Sequence, residues 1–515
     1  MRTLRAICTV ALAACASKDD PAYWVDQLTE SDPKVVEEAV AQLKKLGNPE
    51  AVEPLAKLYA KHPRHEILQA IAALMDKPGF KQEQAIPAFV AALDFTEETY
   101  HSANVAAEAL GDLKATQAVE ALVKVLDKQL PVKSRANLAK LSAIQALGKI
   151  GGPTGVDGLI RAMERPAEEQ DFPIAMAASV ALGNVGDPRA VKPLIRGLFY
   201  VGRGLNMYAN ARVSLVKIGA PAVEPLIAAH ERRDADVEAL AKKLEFVPGI
   251  LEFKTALALG ELRDPRAIPV LRATLKAKPL GDENEQSRSH NGAITGLGMV
   301  GGEEAADELI WALEKHADWK IRAKCAEMLN IVGSTRALPA LLKMAKSGFF
   351  MLDGDRYNEI RWASALAFSK IATPEGYGQL EPIVKAASPE DGRDIFDEAL
   401  VRLELARECK EDLACYAKAL EDKVLAKQEA AAFQLARRPE AKSQLAALAG
   451  RVSSREPVVR LAVLHAIDRL GHKGCAECMA KLEEQIKRDE RKTTKALGGD
   501  LVNEMRCTLA RIQKR

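Results

Sequence analysis

Residues 181–198, ALGNVGDPRAVKPLIRGL, contain the pattern that decides the fold. The alanine-rich segment at their start predicts a helix that ends at Gly183, because glycine suits the left-handed position after a helix. A tight turn follows, and Asp187 and Pro188 are suited to begin the next helix as its N-cap and first-turn residues. Apolar residues then recur at helical spacing over 191–198, which marks the buried side of a second helix. The stretch therefore predicts two helices joined by a short turn.

Copies of this pattern recur at 109–126, 146–163 and 258–275. The anchor glycines lie 35 to 41 residues apart, at Gly111, Gly148, Gly183, Gly219, Gly260 and Gly298. With more degenerate copies further along, the chain holds about twelve repeats. One helix pair cannot bury both of its faces, so neighbouring pairs must stack. The sequence predicts an all-α fold, an α-solenoid of about twelve helix-pair repeats.

The succession of Leu-Gly, a turn and Ala-Val-x-Pro-Leu resembles the HEAT-repeat family, in particular the short bacterial type first described around phycobilin lyases. The resemblance covers roughly residues 27–485. It implies an α-α superhelix. It implies little about function, because such repeats serve many unrelated binding tasks.

No catalytic constellation accompanies the repeats. Deoxyhypusine hydroxylase, a HEAT-like di-iron enzyme, needs several His-Glu pairs on successive repeats, and here only His65-Glu66 and His230-Glu231 occur, far apart. No bilin site can be carried over from the lyases. The chain also lacks a Gly-rich phosphate loop, a Gly-x-Ser-x-Gly elbow and a His-Glu-x-x-His helix. We therefore expect no catalytic residue, no cofactor and no metal.

Composition excludes two further classes. The 73 basic and 71 acidic residues give a formal net charge of +2, so nothing favours a nucleic-acid partner, for which a basic face is expected. No apolar run reaches the 18 or so residues that a membrane span needs.

The N-terminus follows a different pattern. Arg2 and Arg5 precede a short apolar stretch over 6–14, which is typical of a signal peptide. Residues 12–15, Leu-Ala-Ala-Cys, resemble a bacterial lipobox, in which the cysteine thiol receives diacylglycerol after cleavage. We expect a lipoprotein signal peptide over 1–14 and lipidation of Cys15, with simple secretion or a cytosolic helix as alternatives.

The remaining chain is divided accordingly. Residues 15–25 are expected to form the lipidated N-terminus and a short tether, 26–486 the solenoid, and 487–515 a C-terminal capping helix or tail. The connections after second helices are longer at 278–292 and 346–359. Since both follow a second helix, they should project from one edge of the solenoid, where function is common.

An aromatic cluster is the main candidate for partner binding. In HEAT-like arrays the solvated face of the second helices usually lines the concave side. Trp311 stands on that face where other repeats carry a basic residue, at Lys57, Lys124, Arg161 and Arg196. Further aromatic residues follow at Trp319, Phe349, Phe350 and Tyr357. They are interpreted as anchors for a protein partner. The alternative is that Trp311 packs under the 346–359 insertion.

The cysteines predict disulfides if the compartment is oxidising. Cys409 and Cys415 flank an expected helix–helix turn and are predicted to form a disulfide. For the C-terminal group, a disulfide between Cys478 and Cys507 is the first interpretation. Structural thiols are an alternative, and so is a metal or enzymatic site that uses Cys475, Cys478, Cys507 and His472.

The sequence thus predicts a non-catalytic, protein-binding HEAT-repeat scaffold. It would be lipid-anchored in the bacterial cell envelope, on the periplasmic side of the outer membrane, because Ala16 rather than aspartate follows Cys15. Its partner would be a protein or an extended peptide on the concave face and the inter-repeat loops. A structural subunit of a larger assembly is a further possibility.

Overall fold

The computed structural model describes residues 18–202, 204–280, 288–352, 355–490 and 497–514. The predicted signal peptide over 1–14 and the predicted lipidation site Cys15 lie outside the described residues. The described chain is a succession of α-helices with two short β-hairpins, as the all-α solenoid prediction requires. None of its helices combines the length and the apolar character needed to cross a membrane.

The chain divides into two compact units. The first comprises residues up to Pro193 together with 199–210. Its helices, in chain order, are α1 (Pro21–Gln27), α2 (Pro33–Leu46), α3 (Val52–Lys61), α4 (His65–Ala73), α5 (Gln82–Ala92), α6 (Tyr100–Asp112), α7 (Val119–Asp127), α8 (Asn137–Ile150), α9 (Pro153–Glu164) and α10 (Phe172–Val185). It also holds a hairpin of β1 (Val201–Gly202) and β2 (Leu205–Asn206). Helices α11 (Val191–Gly197) and α12 (Tyr208–Ile218) span the two boundaries between the units.

The second unit comprises 194–198 and the chain from Ala211 onward. Its helices are α13 (Val223–His230), α14 (Ala235–Lys243), α15 (Ile250–Leu262), α16 (Ile268–Lys276), α17 (Arg288–Val300), α18 (Gly302–Lys315), α19 (Trp319–Val332), α20 (Leu338–Lys346), α21 (Glu359–Ile371), α22 (Gly376–Ala386), α23 (Arg393–Cys409), α24 (Leu413–Ala419), α25 (Leu425–Ala436), α26 (Leu445–Gly450), α27 (Pro457–Leu470), α28 (Ala476–Glu490) and α29 (Leu497–Lys514). A hairpin of β3 (Phe350–Leu352) and β4 (Asp355–Tyr357) follows α20.

In the repeats that carry Asp-Pro, the turn between the two helices is capped as the sequence predicts, with one addition. The side chain of Asp187 accepts a hydrogen bond from the Arg189 N–H at 2.8 Å, which is the expected capping bond. It caps a short 3₁₀ turn, Pro188–Ala190, and α11 begins directly after that turn. Asp264 and Arg266 repeat the arrangement at 3.0 Å. In these two repeats the capping residue thus fixes the direction in which the second helix starts.

The anchor glycines have a different role from the one predicted. Gly111, Gly148, Gly183, Gly260 and Gly298 lie inside the first helices, which continue for one or two residues beyond them. A Cβ on Gly111 would lie 2.8 Å from the Cα of Ala146 in the next first helix. The glycine is therefore present because neighbouring first helices touch there. The left-handed position is taken three residues later, by Gly186 at φ 74°. Gly219, at φ 82°, is the one anchor glycine that ends its helix.

The second unit curls so that its first helices lie on the inside. Arg263, directly after α15, forms an ion pair with Asp468 of α27, and the two residues are first-helix positions at opposite ends of the row. The last helix, α29, packs on this inner row, where Cys507 and Ala510 contact Val213 and Val216 of α12. The expectation that second helices line the concave side is therefore wrong for this unit. Its inner face is formed by first helices and is partly covered by α29.

Candidate functional site

The long connection after α20 is folded into the β3–β4 hairpin, and it gathers three of the predicted aromatic residues. Phe350 and Tyr357 pair across the hairpin, and their rings stack with centroids 5.2 Å apart. Trp319, the first residue of α19, lies 5.4 Å from the Phe350 ring and 5.0 Å from the Tyr357 ring. Aromatic contacts at such distances stabilise a site beyond simple burial. The hairpin is thus held against the start of α19 by three half-buried rings.

Cation–π and ionic contacts of Arg356 also stabilise the β3–β4 hairpin. The guanidinium of Arg356 lies 3.7 Å from the centroid of the Phe349 ring and also pairs with Asp391. Arg361 of α21 reaches the same carboxylate at 3.1 Å. Burial alone would raise the pKa of Asp391, but hydrogen bonds from Ser388 and the charges of Arg356 and Arg361 hold it below its usual value. Asp391 therefore remains an anion that fixes the position of the strand.

Trp311 is not packed under the 346–359 insertion, which was the alternative to partner binding. It lies on α18 and remains 38% exposed. The ammonium of Lys276 on α16 lies 5.2 Å from its ring, and the same ammonium pairs with Glu308 at 3.2 Å. The ring that the hairpin covers is that of Trp319. Because α18 is a second helix, Trp311 lies on the outer row of the unit rather than on a concave face.

Exposed apolar side chains lie along the edge where second helices end. Phe349 is 44% exposed and Met351 57% exposed, both directly after α20. The first unit has a comparable feature that sequence reasoning missed, because Val201 of its hairpin is 65% exposed. The signal was present in residues 199–208, FYVGRGLNMY, where apolar residues flank a pair of glycines typical of a tight turn. We call Trp311, Phe349 and Met351, with the flanking cations Lys276 and Arg356, the aromatic edge.

The cysteine at the α23–α24 turn has the partner that its spacing predicts. Cys409 and Cys415 form a disulfide with their Cα atoms 5.4 Å apart. Asp412 caps α24 between them by accepting hydrogen bonds from the N–H groups of Ala414 and Cys415. The hydroxyl of Tyr416 donates to the carbonyl of Lys410 at 2.9 Å. The disulfide closes a turn that is already ordered by capping.

The pairing of the C-terminal cysteines differs from the expectation. Cys478 forms a disulfide with Cys475, not with Cys507. Cys475 immediately precedes α28 and Cys478 lies in its first turn, so the helical backbone itself brings the two Cα atoms to 5.3 Å. Cys507 is a free, buried thiol on α29, and burial raises its pKa well above the ordinary value. Cys325, the other free cysteine among the described residues, is likewise buried, with a raised pKa.

These positions remove the ligand set of the alternative metal site. The sulfurs of Cys475 and Cys478 are bonded to each other, and His472 Nδ1 accepts a hydrogen bond from the Gly474 N–H. Within the described ranges, no group of three or more His, Cys, Asp and Glu side chains is placed to hold a metal ion. The His230-Glu231 pair is also structural, because His230 is buried between the hydroxyls of Thr255 and Thr274.

The repeat pattern has matches among known protein families. The family model described as HEAT repeats matches residues 280–349. The model of the PBS lyase HEAT-like repeat matches residues 105–128, 174–200 and 254–277. The chain is a HEAT-repeat protein. The segments matched by the PBS lyase HEAT-like model each cover a helix pair. This is the family that the Leu-Gly pattern predicts.

Solved structures resemble this HEAT-repeat protein at low identity. A crystal structure of importin beta is 14% identical over 96% of this chain and 73% of that chain, with a TM-score of 0.35. Kap121p bound to Nup53p is 13% identical over 99% of this chain and 56% of that chain, with a TM-score of 0.42. The complex of CpcE and CpcF of phycocyanin lyase from Nostoc sp. is 18% identical over 64% of this chain and 96% of that chain, with a TM-score of 0.25. No curated protein matches the sequence.

Proposed function

We propose that this HEAT-repeat protein is a non-catalytic scaffold that binds another protein at the bacterial cell envelope. The aromatic edge of the second unit is the observation that carries the proposal. Large aromatic side chains on a rigid support, flanked by cations, are typical anchors of protein interfaces. The hairpin beneath Phe349 is rigid because three rings and the Arg356–Asp391 pair hold it.

The partner would contact the outer row and the hairpins. On the inner face of the second unit α29 packs against α12, α15 and α27, which leaves the outer row as the more accessible surface for an extended peptide. The partner surface would be apolar with acidic residues nearby, because Lys276 and Arg356 lie beside the exposed rings. A protein or an extended peptide segment of that composition fits the aromatic edge.

The proposed anchor is a lipid on Cys15. Helix α1 begins at Pro21, so five residues separate the cysteine from the first helix. At about 3.5 Å per residue, this tether spans at most about 18 Å, which would hold the first repeats close to the membrane surface. Two disulfides support an oxidising compartment, where such bonds form and persist. Ala16 after the cysteine favours the outer membrane, as the lipoprotein resemblance implies.

A crosslinking experiment in intact cells tests the binding proposal. A photoreactive residue placed at Phe349 should capture one envelope protein. The additional substitution Trp311→Ala should abolish that capture, because it removes the aromatic anchor on α18, the second helix that packs beside α20. Lys124→Ala is the matched control, since Lys124 occupies the register of Trp311 on a second helix of the first unit. Capture that survives Trp311→Ala would contradict the proposed surface.

Metabolic labelling tests the anchor separately. Palmitate should label the wild-type chain and not the Cys15→Ser variant, which should also leave the membrane fraction. A Cys15→Ser chain that remains in the membrane fraction without label would refute the lipid anchor and leave the binding proposal intact.

A further inference from the structure

A cavity of about 510 Å³ lies inside the second unit, away from the aromatic edge. It is formed where first helices α17, α19 and α27 end and where α18 begins. Its lining consists of Arg263, Gly298, Met299, Val300, Gly301, Gly302, Ile331, Val332, Lys442, His465, Arg469, Leu470, Gly471 and His472. The volume lies within the range of ordinary small-molecule sites, about 300–1,000 Å³.

The charge of this lining is of one sign. Arg263, Lys442 and Arg469 contribute cations, and none of the described residues of the lining is a carboxylate. Arg437 lies close to Arg469, because both side chains approach Gly333. A Cβ added to Gly333 would lie 3.2 Å from Arg469 Nη1 and 3.7 Å from Arg437 Cγ. Three cationic side chains thus line this open cavity, and a fourth lies behind it.

The nearby carboxylates already have partners, one of which is the lining residue Arg263. Asp468 pairs with Arg511 at 2.9 Å, on the side of α29, as well as with Arg263. Glu303 of α18 accepts a hydrogen bond from Ser334 Oγ at 2.6 Å, and Glu304 pairs with Arg272 at 2.6 Å. These partners hold the acids of the first turn of α18 away from the cavity. The helix ends do offset some of the positive charge, because the Val332 carbonyl accepts one hydrogen bond from Arg469 Nη1 at 3.0 Å.

Unused donors remain despite that bond. Arginine carries five N–H donors, and within the described chain Arg469 uses one of them, on Val332. Arg263 Nε is buried without a hydrogen-bond partner in the described residues. Gly301 and Gly302 begin α18 at φ 74° and 84° without a side-chain cap, and a Cβ at either would meet nothing within 4 Å. Backbone N–H groups at an open helix start add further donors for an anion.

The positive charge around the cavity lowers the pKa values of several neighbouring side chains. Burial and the charge of Arg263 lower the pKa of Arg469, and burial with the charges of Arg438 and Arg469 lowers the pKa of Arg437. Burial and the charges of Arg263 and Arg469 lower the pKa of His465 to about 3. A bound anion would relieve this repulsion, because its charge lies between the cations that now oppose one another.

We propose that this cavity is a binding site for a small multivalent oxyanion, of the size and charge of pyrophosphate or a tricarboxylate. Arg263 and Arg469 would provide the planar, bidentate donors that phosphate and carboxylate groups prefer, and Lys442 a point charge at the rim. The start of α18 would contribute backbone N–H groups. The site is independent of the scaffold proposal, because it lies on the inner face and the aromatic edge on the outer row.

Calorimetric titration of the purified full-length chain tests the site, with pyrophosphate and citrate as probes at constant ionic strength. We expect saturable binding of at least one probe at one site per chain. Arg469→Gln and Lys442→Gln should each weaken it at least tenfold. Arg393→Gln is the matched control, since Arg393 is a half-buried arginine of the same unit that pairs with Asp397. It should leave the affinity unchanged.

The outcomes separate the possible ligands and overturn the site if it is absent. Pyrophosphate alone would identify a phosphoryl ligand, citrate alone a carboxylate ligand, and either supports the proposal. Absence of saturable binding by both probes, or an equal loss in Arg393→Gln, would overturn it. Tighter binding of a hexaglutamate peptide than of both probes would also overturn it, by showing that the cavity takes a protein segment. Lys442 is exposed, so Lys442→Gln decides the matter if Arg469→Gln fails to fold.

Discussion

Arg511 and Glu261 form a buried ion pair across 250 residues of sequence, with Nη1 2.7 Å from Oε2. The same guanidinium donates to the Glu261 carbonyl at 3.1 Å and pairs with Asp468 at 2.9 Å. Burial alone would lower the pKa of Arg511, but the surrounding carboxylates of Asp468, Glu504 and Glu261 hold it well above its usual value. One side chain of α29 thus joins α15 to α27, at opposite ends of the inner row.

Replacing this arginine should loosen the second unit. Arg511→Met keeps the length of the side chain but leaves Glu261 and Asp468 buried with one cation fewer. We expect a loss of about 3–5 kcal/mol in the free energy of unfolding of that unit, because an uncompensated buried charge is costly. Urea unfolding followed by tryptophan fluorescence measures it, since three of the four tryptophans, at 311, 319 and 362, lie in the second unit.

The control for this prediction is an exposed ion pair of the same unit. Arg488 pairs with Glu484 one helical turn away on α28, and both side chains are about half exposed. Arg488→Met should cost less than about 1 kcal/mol. If Arg511→Met and Arg488→Met lowered the free energy of unfolding equally, the contacts of α29 would not stabilise the inner row.

The anchor glycines give a second prediction about packing. A Cβ on Gly260 would lie 2.8 Å from the Cα of Gly296 and 3.0 Å from the Cβ of Met299. Gly260→Ala should therefore force α15 and α17 apart and destabilise the second unit by about 1–3 kcal/mol. Gly378, inside α22, has nothing within 4 Å of its added Cβ. Gly378→Ala should stabilise by about 0.5–1 kcal/mol, because alanine is the better helix former. Thermal melts of the two variants would contradict this account if both midpoints fell.

The sequence predicts the local parts of this fold and not the distant ones. The helix pair at 181–198 is encoded within eighteen residues by caps and apolar spacing, so its existence follows from the residues themselves. The predicted role of Gly111 was wrong because a helix–helix contact with the next repeat, and not the local backbone, selects that glycine. The packing position of α29 could not be predicted, because the residues around Arg511 do not indicate that its partner is Glu261. The Cys475–Cys478 pair shows the reverse error, in which a distant partner was preferred to the one that the helix supplies.

The disulfide at the α23–α24 turn predicts a redox-dependent stability. In the chain-entropy picture, closing so short a loop contributes about 2 kcal/mol. The double variant Cys409→Ala/Cys415→Ala should lose about that amount in urea unfolding under oxidising conditions. Reduced wild-type protein should lose more, because Cys475–Cys478 also opens. If reduction leaves the wild-type midpoint unchanged, the cysteines are not bonded in the protein.

His230 predicts a specific dependence of stability on acid. Its ring is buried, with Nδ1 2.8 Å from the Thr255 hydroxyl and Nε2 2.7 Å from the Thr274 hydroxyl. The Thr255 hydroxyl donates to the Leu251 carbonyl at 2.7 Å, so it accepts from Nδ1–H, and the neutral tautomer is fully bonded. Burial lowers the pKa of His230 to about 4, although the nearby carboxylates of Glu252 and Glu231 oppose the shift.

The sign follows from proton uptake. Below the ordinary histidine pKa of about 6.5, His230 is protonated in the unfolded chain but stays neutral in the folded chain. The free energy of unfolding therefore falls as the pH decreases from about 6.5 to about 4. The loss is about 1.4 kcal/mol per pH unit for this one ring. In His230→Gln, the amide can still hydrogen-bond a threonine but does not titrate. The unfolding free energy of the variant should therefore fall less steeply than that of the wild type between pH 6 and 4.5, by about that slope. Parallel pH profiles would mean that His230 is protonated in the folded protein, contrary to the lowered pKa that its burial gives.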